Sequence, residues 1–95
     1  ASYREPEIVR VRVFDRFRRD YQRLPKHIQK QTDKALALLE QNPLHPSLHT
    51  KRIKGTKDIW EARITIVYRF TFNWESDLVT LRRVGTHDIL TKEMK

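Results

Sequence analysis

The sequence predicts an α+β domain: an N-terminal strand and a two-helix hairpin packed on an antiparallel sheet of about four strands, with a short C-terminal helix. Residues 59–84 alternate apolar and polar side chains at period two, the pattern of strands with one dry face and one wet face. Residues 14–41 instead space their apolar side chains by three and four, the pattern of helices. Asn42-Pro43 and Pro46 separate the two regimes. No repeat or linker divides the chain, so residues 1–95 are expected to form one domain.

Residues 1–7 are polar, contain Pro6 and lack periodicity, which predicts a loose arm. Ile8 to Phe14 reads as a strand with Val9, Val11 and Val13 inward and Arg10 and Arg12 outward. Asp15 is placed to cap the first helix, on which Phe14, Phe17, Tyr21 and Leu24 form one stripe. The residues between them, Arg16, Arg18, Arg19, Asp20, Gln22 and Arg23, read as a solvated face. Pro25 ends that helix and opens a second, Lys26 to Gln41, with Ile28, Thr32, Ala35, Leu36 and Leu39 inward. So short a connection predicts an antiparallel hairpin lying on the sheet. Pro43 and Pro46 exclude a helix through His45 to His49, and Lys51 to Gly55 suits a short strand or extended loop.

Trp60, Ala62 and Ile64 fall on one face of the next strand, Ile59, Glu61 and Arg63 on the other. In the strand after it Tyr68, Phe70, Phe72 and Trp74 face inward, and Arg69, Thr71 and Asn73 outward. Glu75-Ser76-Asp77 is a turn, and Leu78 to Val84 returns as a strand. There parity leaves open whether Arg82 or Arg83 faces outward, because Leu81 and Val84 compete for the core. Gly85 suits a bend at the strand end. Asp88 can cap a short helix, and residues 89–95, held only by Ile89, Leu90 and Met94, form an expected mobile tail.

Twenty Lys and Arg against 12 Asp and Glu give a formal charge of +8. A domain this small and basic usually meets a polyanion, most often nucleic acid. Solubility alone, or an acidic protein partner, are the other readings of that charge. With no cysteine there is no disulfide framework, thiolate metal site or cysteine nucleophile. No apolar run approaches a membrane span and no leader is recognisable, so a cytoplasmic location without membrane contact is expected. His45 and His49 lie four apart, but the prolines prevent the helix that would align them on a metal. No phosphate-cradling glycine loop is present, since Gly55 and Gly85 are the only glycines. No cofactor and no metal are expected.

What remains is a charged sheet face with Glu61, Arg63 and Arg69, and His87 at its rim. Metal-free RNA cleavage needs such parts. One group takes the 2′-hydroxyl proton, another protonates the leaving 5′-oxygen, and fixed cations stabilise the charge growing on phosphorus. An imidazole titrates near neutrality, which suits His87 to acid or base work. Arginine forks hold phosphate oxygens in pairs. Glu61 is the poorer base unless bound phosphate neutralises its arginine neighbours. The plain alternative is a solvated Glu–Arg face contributing little.

The order of the helix hairpin, His45-Pro46-Ser47-Leu48, Lys51 to Gly55, Ile59-Trp60-Glu61-Ala62-Arg63, Tyr68-Arg69-Phe70-Thr71-Phe72 and Val84-Gly85-Thr86-His87-Asp88 resembles the RelE/ParE toxin superfamily, over about residues 8–90. The resemblance implies a RelE-like, microbial-ribonuclease-like fold. It implies the toxin of a type II toxin–antitoxin pair, an endoribonuclease that cuts mRNA on the ribosome, inhibits translation and is silenced by a cognate antitoxin. By position His87 stands where ribosome-dependent members keep a catalytic histidine, Arg69 where they keep a tyrosine–arginine pair, and Glu61 and Arg63 where they keep two basic residues. Lys51, Lys54 and His49, with Arg82 or Arg83, fall in the implied RNA-binding surroundings. Two departures stand out. Glu61 replaces a lysine, and Asp88 replaces an aromatic, leaving the tail without a ring to stack on a base. The rival readings are a ParE-like inhibitor of DNA gyrase and a non-catalytic RNA- or ribosome-binding module.

Overall fold

The computed structural model describes residues 9–93; the arm expected over residues 1–7, with Ile8 and Met94, lies outside them. Along the chain run β1 (Arg10–Val13), α1 (Asp15–Gln22), α2 (Lys26–Gln41), a 3-10 turn (Pro46–Leu48), β2 (Lys51–Arg52), β3 (Ile59–Arg63), β4 (Tyr68–Glu75), β5 (Leu78–Thr86) and α3 (Asp88–Glu93). The α+β architecture is as the sequence predicts, with one difference in the sheet. The N-terminal strand joins it, giving five strands in the order β1-β5-β4-β3-β2. β2 through β5 pair antiparallel, whereas β1 lies parallel to β5. A parallel neighbour needs a long crossover, which the helices and the other strands supply.

The helices cover one sheet face. Phe70 and Phe72 are fully buried there with Ala62, Val79, Leu81 and Val84, against Phe17, Leu24, Ile28, Ala35 and Leu39. Truncating either phenylalanine would cost about 3–5 kcal/mol by lost transfer energy and cavity formation. Val11 and Val13 of β1 extend this apolar face beside Val79 and Leu81, as their alternation predicts.

A β-bulge resolves the parity conflict on β5. Leu81 lies opposite Phe72 and Val84 opposite Phe70, both buried, while Thr71 faces Arg83. Arg82 is the extra residue between them. One inserted position lets two residues of opposite parity both reach the core.

Local details differ from expectation for physical reasons. Phe14, not Asp15, occupies the cap position of α1 in extended conformation, and no side chain caps it. Asp15 sits in the first turn, where its charge complements the helix dipole. Pro25 likewise precedes α2 as its cap residue. The prolines that exclude an α-helix after Pro43 still permit the tighter 3-10 turn, because Pro46 occupies its start, where no donor is needed. Gly55 has φ of 87°, the conformation that makes glycine fit the turn between β2 and β3.

β1 stops after Val13, and the Phe14 N–H donates the last bond to the Leu81 carbonyl (3.0 Å). β5 continues past it. Asp20 of α1 then stands in for the missing strand: its Oδ2 accepts the Val84 N–H (3.2 Å) and the Arg83 Nε–H (2.9 Å), and its Oδ1 accepts from Arg83 Nη2 (3.3 Å).

Candidate nucleic-acid interface

The face of the sheet away from the core is built by strand alternation. Pairing of β3 with β4 sets Glu61 opposite Thr71 and Arg63 opposite Arg69. The two-residue strand β2 has one consequence here: its register puts Lys51 opposite Glu61. Three side chains then meet. Glu61 Oε1 accepts from Arg69 Nη1 at 3.3 Å, and Lys51 Nζ lies 3.5 Å from the same oxygen. The Glu61 side chain is only 5% exposed and that of Arg69 16%, while Lys51 reaches into solvent.

The arginines at this end of β3 and β4 are not fully satisfied, and Arg63 also lines a cavity with Lys34 and Leu38 of α2 and Leu48 of the 3-10 turn. Arg63 Nε and Arg69 Nε are buried, and neither has a hydrogen-bond partner among the described residues. Two arginines directly opposite on neighbouring strands also repel. A buried polar hydrogen left unpaired costs about 1–3 kcal/mol. The strands therefore hold guanidinium donors in a position that an anion would satisfy.

His87 follows β5 and is exposed; its carbonyl accepts the Leu90 N–H at 3.1 Å as the chain turns into α3. Because Arg69 pairs with Gly85 and Tyr68 with Thr86, His87 leaves the sheet at the Arg69 end of β4. Gly85 is more than a bend. A Cβ on it would lie 3.0 Å from Ile89 Cγ2, so its bare backbone lets α3 fold back against the strand with Ile89 buried.

The remaining predicted residues disperse. Lys54 is exposed in the turn before β3, and His49 is exposed, left-handed and just past the 3-10 turn. Arg83 is held by Asp20. Arg82 Nη1 donates to Asn73 Oδ1 (2.7 Å), and its guanidinium carbon lies 5.9 Å from the Phe14 ring centre. His45 Nδ1 accepts the Ser47 N–H, a local turn contact. Sequence reasoning did not single out Asp20, Asn73 or Phe14 as functional. Outward parity on β4 was a signal for Asn73; nothing local signals the other two.

Among the described residues no three His, Asp or Glu side chains gather as a metal-binding group, and no helix is long and apolar enough to cross a membrane.

A small α+β domain with a cationic, partly unsatisfied sheet face is what the fold and site define, and its architecture is that of the RelE-like toxins. The chain is similar to a chain of the RelB–RelE antitoxin–toxin complex from Methanococcus jannaschii, with TM-score 0.71 and 23% identity, covering 88% of this chain and 99% of that one. It is similar to a chain of the E. coli DinJ–YafQ toxin–antitoxin complex, with TM-score 0.73 and 17% identity over 86% and 96% of the two chains. The archaeal RelE–RelB complex from Pyrococcus horikoshii OT3 matches with TM-score 0.68 and 21% identity over 83% and 94%. No protein-family model and no curated protein matches the sequence, so the likeness is one of fold.

Proposed function

We propose that this chain is the toxin of a type II toxin–antitoxin pair, a metal-independent endoribonuclease that cuts mRNA on the ribosome and so inhibits translation in the cytoplasm. The observation that carries the reading is the pair of facing arginines, Arg63 and Arg69, each with a buried Nε–H that has no hydrogen-bond partner among the described residues. A phosphodiester supplies the acceptor oxygens and the negative charge that this arrangement wants.

In this reading Arg63 and Arg69 hold the scissile phosphate. His87, at the Arg69 end of the sheet, moves a proton as general acid or base. Phosphate arriving at the cluster draws Arg69 and Lys51 off Glu61 and frees that carboxylate for the complementary proton transfer. The 2′-oxygen loses its proton and attacks phosphorus, a 2′,3′-cyclic phosphate forms, and the 5′-oxygen leaves with a proton. Lys51, Lys54, His49 and Arg82 add charge and contacts along the RNA path, and Arg83 does so only insofar as Asp20 releases it. An antitoxin covers the cationic face with acidic or amphipathic segments; the similar chains from M. jannaschii and E. coli come from toxin–antitoxin complexes.

The burial of Glu61 favours one other reading. A carboxylate that stays sealed under Arg69 only positions it, and the domain then binds RNA or ribosomes without cutting. Primer extension on ribosome-bound mRNA, wild type beside His87→Ala, separates the two. Cuts confined to the A-site codon that need ribosomes, and fall about 10²–10⁴-fold in the variant, are expected. Toxicity with mRNA left intact would sink the nuclease, and an accompanying DNA-damage response would point to gyrase.

A further inference from the structure

The outer sheet face has a second feature, at the opposite end of β4 from His87. Arg12, Phe14, Asn73, Glu75, Leu78 and Thr80 line a cavity of about 240 Å³. Register places Arg12 opposite Thr80, Thr80 opposite Asn73 and Leu78 opposite Glu75, all with outward parity. The cavity and the Glu61–Arg69 cluster therefore share one surface. β4 rises about 3.4 Å per residue, so Asn73 lies roughly 14 Å along the strand from Arg69. Arg82, bulged out of the ladder, reaches toward the cavity by its bond to Asn73 and its position over Phe14.

We infer that this cavity is a base-binding subsite for single-stranded RNA, taking the base of a nucleotide neighbouring the one that is cut. Four observations favour a base over other occupants. Phe14 is an aromatic ring 42% exposed at the cavity, an expensive way to leave a large apolar side chain in water unless something covers it. The Arg82 guanidinium carbon, 5.9 Å from that ring's centre, adds a cation beside an aromatic face of the kind on which bases stack. Asn73 and Thr80 line the wall; Asn73 Oδ1 already accepts from Arg82 and its Nδ2 donates to the Asp58 carbonyl (3.4 Å), which leaves its second N–H, a second lone pair and the Thr80 hydroxyl for a base edge. Glu75 on the lining disfavours a phosphate inside, whereas Arg12, on the β1 side of the lining, suits a backbone passing outside.

Phe14 is brought to the surface because it follows β1 in extended conformation before α1 begins. The volume fits one ring system and is below the range of sites that enclose a drug-sized ligand.

The inference rests on the RNA part of the proposed function and not on catalysis, so it is tested by binding. The probes are a labelled single-stranded hexamer of uridine or adenosine and a hexamer of the same sugar–phosphate backbone without bases, titrated at low salt by fluorescence anisotropy. Wild type and Phe14→Tyr should prefer the base-bearing hexamer roughly fivefold or more, and Phe14→Leu should bind both alike. Equal affinity for the two probes in wild type, a preference surviving in Phe14→Leu, or no binding of either probe would overturn the subsite. A 5-bromouridine hexamer cross-linked to the wild-type chain gives a check that needs no variant. The peptide carrying Phe14 should be labelled, and labelling only elsewhere rejects the proposal. Base preference in a chain that cuts no mRNA would remove the nuclease and keep this subsite. His87-dependent cutting with Phe14→Leu binding as wild type would do the reverse.

Discussion

Two acid–arginine pairs in this molecule are buried to similar depth and built to opposite ends. Arg83 and Asp20 have side chains 16% and 11% exposed, and Asp20 also accepts the Val84 N–H. Both of its oxygens are used, and Arg83 donates from two nitrogens. Arg69 and Glu61 make one longer contact, share its acceptor oxygen with Lys51, and leave Arg69 Nε without a partner among the described residues. A pair that ties a helix to a strand completes itself. The second pair keeps hydrogen-bonding capacity in reserve, as the proposed phosphate contact requires, and the reserve costs stability.

The largest effect that contrast implies is at Asp20. Asp20→Ala leaves Arg83 and the Val84 N–H without acceptors in a mostly dry place, so urea unfolding should show a loss of about 3–5 kcal/mol. Millimolar inorganic phosphate should not restore it. Glu61→Gln should cost less, about 1–2 kcal/mol, because its pair was never saturated. Here phosphate should raise the unfolding midpoint more than in wild type, since an anion satisfies the freed cations. Equal losses, or equal rescue by phosphate, would break the distinction between the pairs.

The smallest effect comes from a third acidic contact, exposed at the helix pair. The Tyr21 hydroxyl donates to Asp33 Oδ1 at 2.8 Å. That bond, then partial desolvation and the Asp33 charge, hold the phenol above its ordinary pKa of 10.0. The folded state thus keeps the proton longer than the unfolded chain does. Its stabilisation is complete below pH 10.0 and is lost as pH rises through the raised value. Tyr21→Phe should remove that alkaline dependence while changing neutral-pH stability by no more than a few tenths of a kcal/mol. A loss as large as that of Asp20→Ala would mean that exposure does not rank these contacts.

The elements were legible because their periods are local. Alternation from Tyr68 to Trp74 and the three–four spacing on α2 each need only a short window of sequence. The shared face of Glu61, Arg63 and Arg69 followed from the same alternation. Contacts made across the chain were not legible. Asp20 reads as part of a solvated arginine-rich helix face, yet its partners lie 63 and 64 residues away. The parallel pairing of β1 with β5 has no local signal either, since Arg10 to Val13 carries the same alternation whichever strand it meets. The competition of Leu81 with Val84 showed that something in β5 breaks the period, but only the partner strand shows that the chain bulges at Arg82.

That bulge makes β5 a place where the gene can change length. Removing the single codon for Arg82 would leave Leu81 opposite Phe72 and bring Arg83 and Val84 on in regular register, so the hydrophobic interior keeps its contacts. The deletion forfeits the bond to Asn73 and the guanidinium near Phe14, and with them a property of the outer surface rather than the fold. A one-residue gap at this point between diverging copies of the chain would therefore record a change in the outer surface, passed through a sheet that scarcely registers it.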